Sequence, residues 1–596
     1  MNSKKFFLGL ASVCMAASMA ACSGNTDTKP QGGDDTSGSK PLIAGTNQEL
    51  NGIFNPIYYV TAYDGWVLNM VYQSMTAYTS DGQILPQLAE ELPTISDDQK
   101  TITFKLKEGQ KFSDGSDLNA NDVKYTFMLM ADPAYVGERM DGSFNFIEGW
   151  DEYQNGDAED VSGIVVEDDY TISFTLGTPD MDAADAIGTM YIMSDEQYTG
   201  DQAHVKGNLD VYKSETDKPI GSGPYQLDNY DKSTGAALTK NPNYTGEGTY
   251  AIEQVMIKTI ATGTELSSLQ GGEINFLPEM IEPSIIGPAS MDENIAVDHY
   301  FRPAEGYVGF NCAEGSGPTS QVEVRQALAY AFPREEFAST YYKYPEKDGE
   351  VQASDEVKDI QVGYVPKAFW SPVATIMGDY TTGAQDLEGL TVYNYDMDKA
   401  KQILDDAGWT VGDDGIREKD GQKLSVKFIL SEGNSVLETL IPMLLKSWGE
   451  LGVEIQQTTV DFNTLISMVT VESEEPIDSW NCFFMATSFT GLGNTSMNDL
   501  LGYRKGTDDD PQLLGSNYVR ITDKELNDYL IAGKETVDQD VSIENYKKAM
   551  IRESELSPYV ALYGNQLFNI HNAGVKGVEA GSVMSWASGL ANATVE

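Results

Sequence analysis

The sequence predicts mixed α/β layers spread over two or three domains. Three observations carry this. About 555 residues follow the N-terminal segment, too many for one hydrophobic core. The apolar periodicity switches between the strand and helix periods along the chain. Helical segments also pass directly into strand segments, as within 435–460, which is how alternating layers are built.

The chain opens with Lys4 and Lys5, followed by an apolar stretch from Phe6 to Ala21. A positive start and a run too short to span a bilayer read as an export signal. Ala20 and Ala21 are the small residues a signal peptidase needs, and "MAAC" resembles a bacterial lipobox with Met19 where leucine is usual. Residues 1–21 are therefore expected to be a lipoprotein signal peptide, with Cys22 as the lipidated residue. Two acyl chains there would hold the protein to a membrane. The segment "SGNTDTKPQGGDDTSGSK" (23–40) contains no apolar side chain, so 22–40 reads as a lipidated flexible tether. The expected location is extracytoplasmic, on the outer face of a bacterial cell membrane, with a Gram-positive source favoured.

Composition sets limits on partners. The chain has 39 basic and 92 acidic residues, a net charge of −53. That argues against nucleic acid, whose phosphates need Lys and Arg, and favours a solvated acidic surface. Beyond the leader only Cys312 and Cys482 remain, either one bridge or two free thiols.

Several elements are legible locally. "KTITFKLKEGQKF" (100–112) alternates Ile102, Phe104 and Leu106 as a half-buried strand. A helix should start near Asn119 and bury Val123, Phe127 and Met130. "VEVRQALAYAF" (322–332) places Val324, Ala327, Leu328, Ala331 and Phe332 at helical spacing, and Pro333 opens the next helix. In "NYDMDKAKQILDDAGW" (394–409), Asp396 can cap a helix that Gly408 ends. An amphipathic helix containing Pro442 should stop near Gly452 and lead into a strand.

Catalytic signatures are missing. His204, His299 and His571 are isolated in sequence, and no HExxH, GxSxG or phosphate-binding GxxxxGK[ST] occurs. "DLNANDVKYTFM" (117–128) lacks the glycine and glutamate of a calcium loop. "GTDDDPQ" (506–512) reads as a solvated loop. No enzyme activity, cofactor or metal site is expected.

Several stretches, taken in order, resemble the family 5 extracellular solute-binding proteins, the peptide-type receptors of ABC importers. They are "GQILPQLAEELPTISDDQKTITFKLKEGQKFSDGSDLNANDVKYTF" (82–127), "GSGPYQL" (221–227), "SSLQGGEINF" (267–276), "GYVGFN" (306–311), "VRQALAYAFPRE" (324–335), "YDMDKAKQILDDAGW" (395–409) and "SPYVALY" (557–563). Pro333 stands where the family commonly has aspartate. The resemblance implies a periplasmic-binding-protein-like clamshell, type II, of the three-lobed cluster C. Domain I would be discontinuous (41–78, 191–300 and 556–596), domain II an insertion (79–190), and domain III would span 301–555. A solute, most simply an oligopeptide, would be captured between domains I and III by hinge closure. It would then pass to permease subunits served by cytoplasmic ATPases. The alternatives are a peptide or pheromone sensor and a receptor for a non-peptide solute such as an oligosaccharide.

The resemblance also implicates individual residues. "NPIYYVTAYDG" (55–65) matches the family's cleft loop and implicates Val60, Thr61 and Tyr63. Tyr307 matches a hinge-proximal aromatic, and Ser431 and Phe462 match contact positions. In peptide-binding members a domain III strand runs from an Asp resembling Asp478 through a Trp to a second Asp that pairs with the peptide ammonium. Phe484 and Thr487 take the last two places here. A hydroxyl does not replace a carboxylate opposite a desolvated ammonium. Alternation puts Asn481, Phe483, Met485 and Thr487 on one face of that strand.

Overall fold

The computed structural model describes residues 40–137, 144–198, 204–214, 216–373, 375–489, 494 and 496–596. Cys22, the signal segment and almost all of the tether lie outside the described residues.

The framework is an 11-stranded sheet among the described residues. One half consists of Glu454–Val460, Ser425–Ser431 and Cys482–Ser488. The other half consists of Phe276–Met280, Leu42–Thr46, Gln254–Thr259, Gly235–Lys240 and Tyr225–Asp231. Two long antiparallel strands, Ile295–Phe310 and Tyr559–Asn572, lie between the halves and belong to both, and the short strand Gly363–Tyr364 pairs with Tyr559–Asn572 as the eleventh. Their register shifts between Phe301 and Glu305, and again between Gly306 and Tyr307. Such irregularities bend a ladder locally, and here they fall where the two halves of the sheet meet.

Apolar packing divides the chain into lobes. One cluster joins Leu42, Trp66, Phe276 and Trp586, so segments from the start, middle and end of the chain share one core. A second cluster runs from Ile57 to Tyr212 around the four-stranded sheet that contains Thr101–Lys105. The hydroxyls of Tyr125 and Tyr212 hydrogen-bond at 2.5 Å and His204 Nε2 lies 2.8 Å from Asp132, which ties 204–214 to this lobe. Two further clusters cover opposite faces of the third lobe's strands.

The local expectations hold where side chains decide them. Ile102, Phe104 and Leu106 are buried in the second lobe. Asn119 caps Ala120–Met130, and Asp122 completes a reciprocal capping box. Asp396 accepts the Lys399 N–H at the start of Met397–Asp406. Ser435–Leu451 contains Pro442 and ends at Gly452, whose φ of 87° suits glycine. Cys312 and Cys482 are both free thiols. Among the described residues no helix is long and apolar enough to cross a membrane.

Candidate functional site: the cleft between the first and third lobes

A cavity of about 420 Å³ opens where the long central strands cross from one half of the sheet to the other. The first lobe supplies most of its wall. Gly45–Gln48 end and follow the N-terminal strand Leu42–Thr46, Tyr63 and Trp66 come from the helix Ala62–Val71, and Leu277–Glu282 run along and past the strand Phe276–Met280. Arg302 and Pro303 come from the first long strand, and Leu567 from the second. Ser488 ends the third-lobe strand and closes the far side.

The wall chemistry follows from local geometry. Thr61 caps the helix, its hydroxyl accepting the Asp64 N–H at 3.2 Å, and this fixes the first turn that carries Tyr63 and Trp66. The two rings meet edge to face at 5.1 Å, and Trp66 packs on Trp586 at 5.5 Å. Glu279 sits at a register break in the pairing of Phe276–Met280 with Tyr559–Asn572, and its φ is +60°. A left-handed non-glycine residue at a bulge re-aims its side chain. The Asn569 side chain accepts the Glu279 backbone N–H at 3.1 Å and holds this turn.

Charge in the cleft is uneven. Glu265, Glu279 and Glu282 line it against a single guanidinium, Arg302. Burial pushes the Glu279 carboxyl up to about 7, against the neighbouring Trp66 indole and the Arg302 charge, which pull it down. Burial also raises Tyr63, reinforced by the Glu279 and Glu282 charges. At Glu265 burial opposes ionisation. Backbone N–H groups and the Asn47 amide at 2.8 Å outweigh it and hold this carboxyl below its usual value.

The sequence-derived candidates divide by position. Tyr63 lines the cavity, with Thr61 beneath it and Val60 62% exposed just before. Phe462 is 55% exposed at the start of the helix Phe462–Val469, while Ser431 is buried at the end of its strand. Thr487 is half-buried and directly precedes the cavity residue Ser488. The other four lie in the packed interior. Tyr307 packs at a tilt on Phe369 at 4.9 Å and edge to face with Tyr559 at 5.1 Å, and with Phe483 it belongs to the same buried cluster as Met485. Asn481 is 2% exposed and bonds main-chain groups. Trp66, Glu279, Glu282, Arg302 and Ser488 escaped the sequence reading. Their sequence-level signals are that "NPIYYVTAYDG" ends immediately before Trp66 and "SSLQGGEINF" ends three residues before Glu279.

Residues 83–509 match the model of the bacterial extracellular solute-binding proteins, family 5. The chain belongs to this family. Oligopeptide-binding protein AppA of Bacillus subtilis is 26% identical over 576 residues, with 94% of each chain covered. The structure of that protein in complex with a nonapeptide superposes with a TM-score of 0.66 at 21% identity, covering 94% of this chain and 99% of that one. The substrate-binding protein CtaP of Listeria monocytogenes superposes with a TM-score of 0.71 at 21% identity, covering 94% and 100%. The fold is thus that of the periplasmic-binding-protein clamshell. Family 5 comprises solute-binding proteins rather than enzymes, and family membership places this chain outside the cytoplasm.

Proposed function

We propose that this chain is the membrane-anchored receptor of an ABC importer and captures peptides in the cleft between its first and third lobes. The carrying observation is the 420 Å³ cavity at the crossing of the long strands, walled by Tyr63 and Trp66 and closed across by Ser488. A solute there touches both halves of the sheet, so its binding energy favours the state in which they approach. The oligopeptide-binding relative supports a peptide as the solute. Val60, Thr61, Tyr63 and Thr487 then form the rim nearest the ligand. Exposed Phe462, with Ser431 behind it, supplies an apolar contact from the third lobe. The closed form is what permease subunits recognise, and Cys22 carries the lipid that keeps the receptor beside them.

Thermal melts of residues 23–596 test the ligand class against free-amine peptides, their N-acetylated twins and oligosaccharides. A ligand at 100 times its Kd adds about 2.7 kcal/mol of stability. Stabilisation by peptides is expected, and stabilisation by oligosaccharides alone rejects the peptide reading. For the anchor, Cys22→Ser should move the protein from the membrane fraction to the soluble exported fraction. Retention on the membrane rejects lipidation at Cys22.

A further inference from the structure

Resting on that reading of the cleft, we propose that Glu279 is its cation-recognising group. It receives an ammonium or guanidinium of the bound solute against the Trp66 and Tyr63 rings, and Arg302 faces the solute's anionic group.

The argument starts from what the wall lacks. Among the described residues Glu279 makes no ion pair within 4.0 Å, and neither does Arg302. Inside the protein the Trp66 indole, a neutral group, lies beside Glu279 on the cavity wall. Glu279 is half-buried, and a carboxylate partly withdrawn from water with no cation bonded to it is costly. A ligand cation would relieve that cost through a charge-assisted hydrogen bond. The same cation would lie beside two aromatic rings, and aromatic faces attract cations. The remaining charges agree in sign: Glu265 and Glu282 line the same cavity, so three carboxylates face one guanidinium. The cavity floor at Leu277, Met280 and Ile281 is apolar. The recognised solute therefore carries a positive group next to an apolar one.

The cation has two possible sources, a peptide's terminal ammonium or a basic side chain. Isothermal titration of the whole chain with Leu-Ala-Leu, acetyl-Leu-Ala-Leu and acetyl-Leu-Lys-Leu separates them. Spermidine and maltotriose serve as non-peptide probes, one cationic and one neutral. The expected result is that wild type binds at least one cationic probe, and that Glu279→Gln weakens it ten- to a hundredfold. Affinity for any neutral probe should stay within twofold. Loss for the free amine alone assigns the terminus, and loss for the lysine peptide assigns the side chain. Equal weakening of cationic and neutral probes overturns the proposal, since it marks a structural role. So does an unchanged cationic affinity in the variant, or binding of no cationic probe by wild type. Spermidine binding that is lost in Glu279→Gln, with no peptide bound, sustains the proposal while rejecting the peptide reading. Glu279→Asp, which keeps the charge, should retain more cationic affinity than Glu279→Gln and checks against misfolding of the latter.

Discussion

The side-chain oxygen of Asn481 accepts the Lys427 backbone N–H at 2.8 Å, while its amide donates to the Ser316 carbonyl at 2.6 Å. One buried amide thus ties the entrance of the strand Cys482–Ser488 to the strand Ser425–Ser431 and to the loop before the helix Val322–Tyr330. Truncation would leave a main-chain donor and acceptor without partners. Asn481→Ala should therefore lower unfolding free energy in urea by roughly 2–3 kcal/mol. Ligand affinity of the folded variant should be unchanged. A tenfold affinity loss at unaltered stability would instead make Asn481 a ligand contact.

Much of the fold was legible because it is written in short-range patterns. Asn119, Asp396 and Gly452 are local signals, and the structure uses each of them. The alternation was also real along 482–485: Cys482 and Phe484 enter one cluster, Phe483 and Met485 the other. Alternation separates two faces without saying which is wet, and this strand is flanked on both sides and covered on both faces. Its cleft residue is Ser488, at the end, where the covering stops. Glu279 was hidden for a different reason. Its direction is set by a register break against residues nearly 300 positions later, a relationship no local pattern carries.

The capping box at Asn119 gives a contrasting prediction. Its helix, Ala120–Met130, belongs to the second lobe, which does not line the cleft. Asn119→Ala should cost about 1 kcal/mol of stability, seen as a lower Tm, with ligand affinity unaltered. An affinity change of more than threefold would show that the second lobe is coupled to the cleft.

Cys312 and Cys482 are free, and burial raises both thiols above their ordinary value. Reductant should therefore leave the Tm unchanged. A drop in Tm on adding dithiothreitol would reveal a bridge between them.

Two carboxyls, Glu305 and Glu553, are 1% and 2% exposed near the Arg334 guanidinium. Burial drives both well above the ordinary glutamate value of 4.5, and the Glu553 charge adds to the effect at Glu305. The native state then holds these protons more tightly than the unfolded chain. Their stabilising contribution is complete below pH 4.5 and is lost as pH rises from there towards the folded-state values. Glu553→Gln removes one such titration. Its Tm relative to wild type should improve steadily from pH 5 to pH 8. A Tm difference independent of pH would mean that Glu553 titrates alike in both states.

The same linkage gives the cleft a pH signature. With its carboxyl pushed up to about 7, Glu279 is protonated and neutral below that pH and anionic above it. A cationic ligand favours the anion, so its affinity should rise as pH increases towards 7 and level off above. Binding near pH 6.5 should release protons, detectable by titration in buffers of different ionisation enthalpy. The groups facing Glu279 do not mask this. Burial keeps Tyr63 and Tyr300 neutral through the range, Arg302 supplies the facing guanidinium, and Glu265 is held below the usual carboxylate value. Glu282, exposed beyond the bulge, completes the set. Glu279→Gln should flatten the profile between pH 5.5 and 8, and neutral ligands should show no slope in wild type. A slope that survives in Glu279→Gln would move the titrating group elsewhere and overturn this assignment.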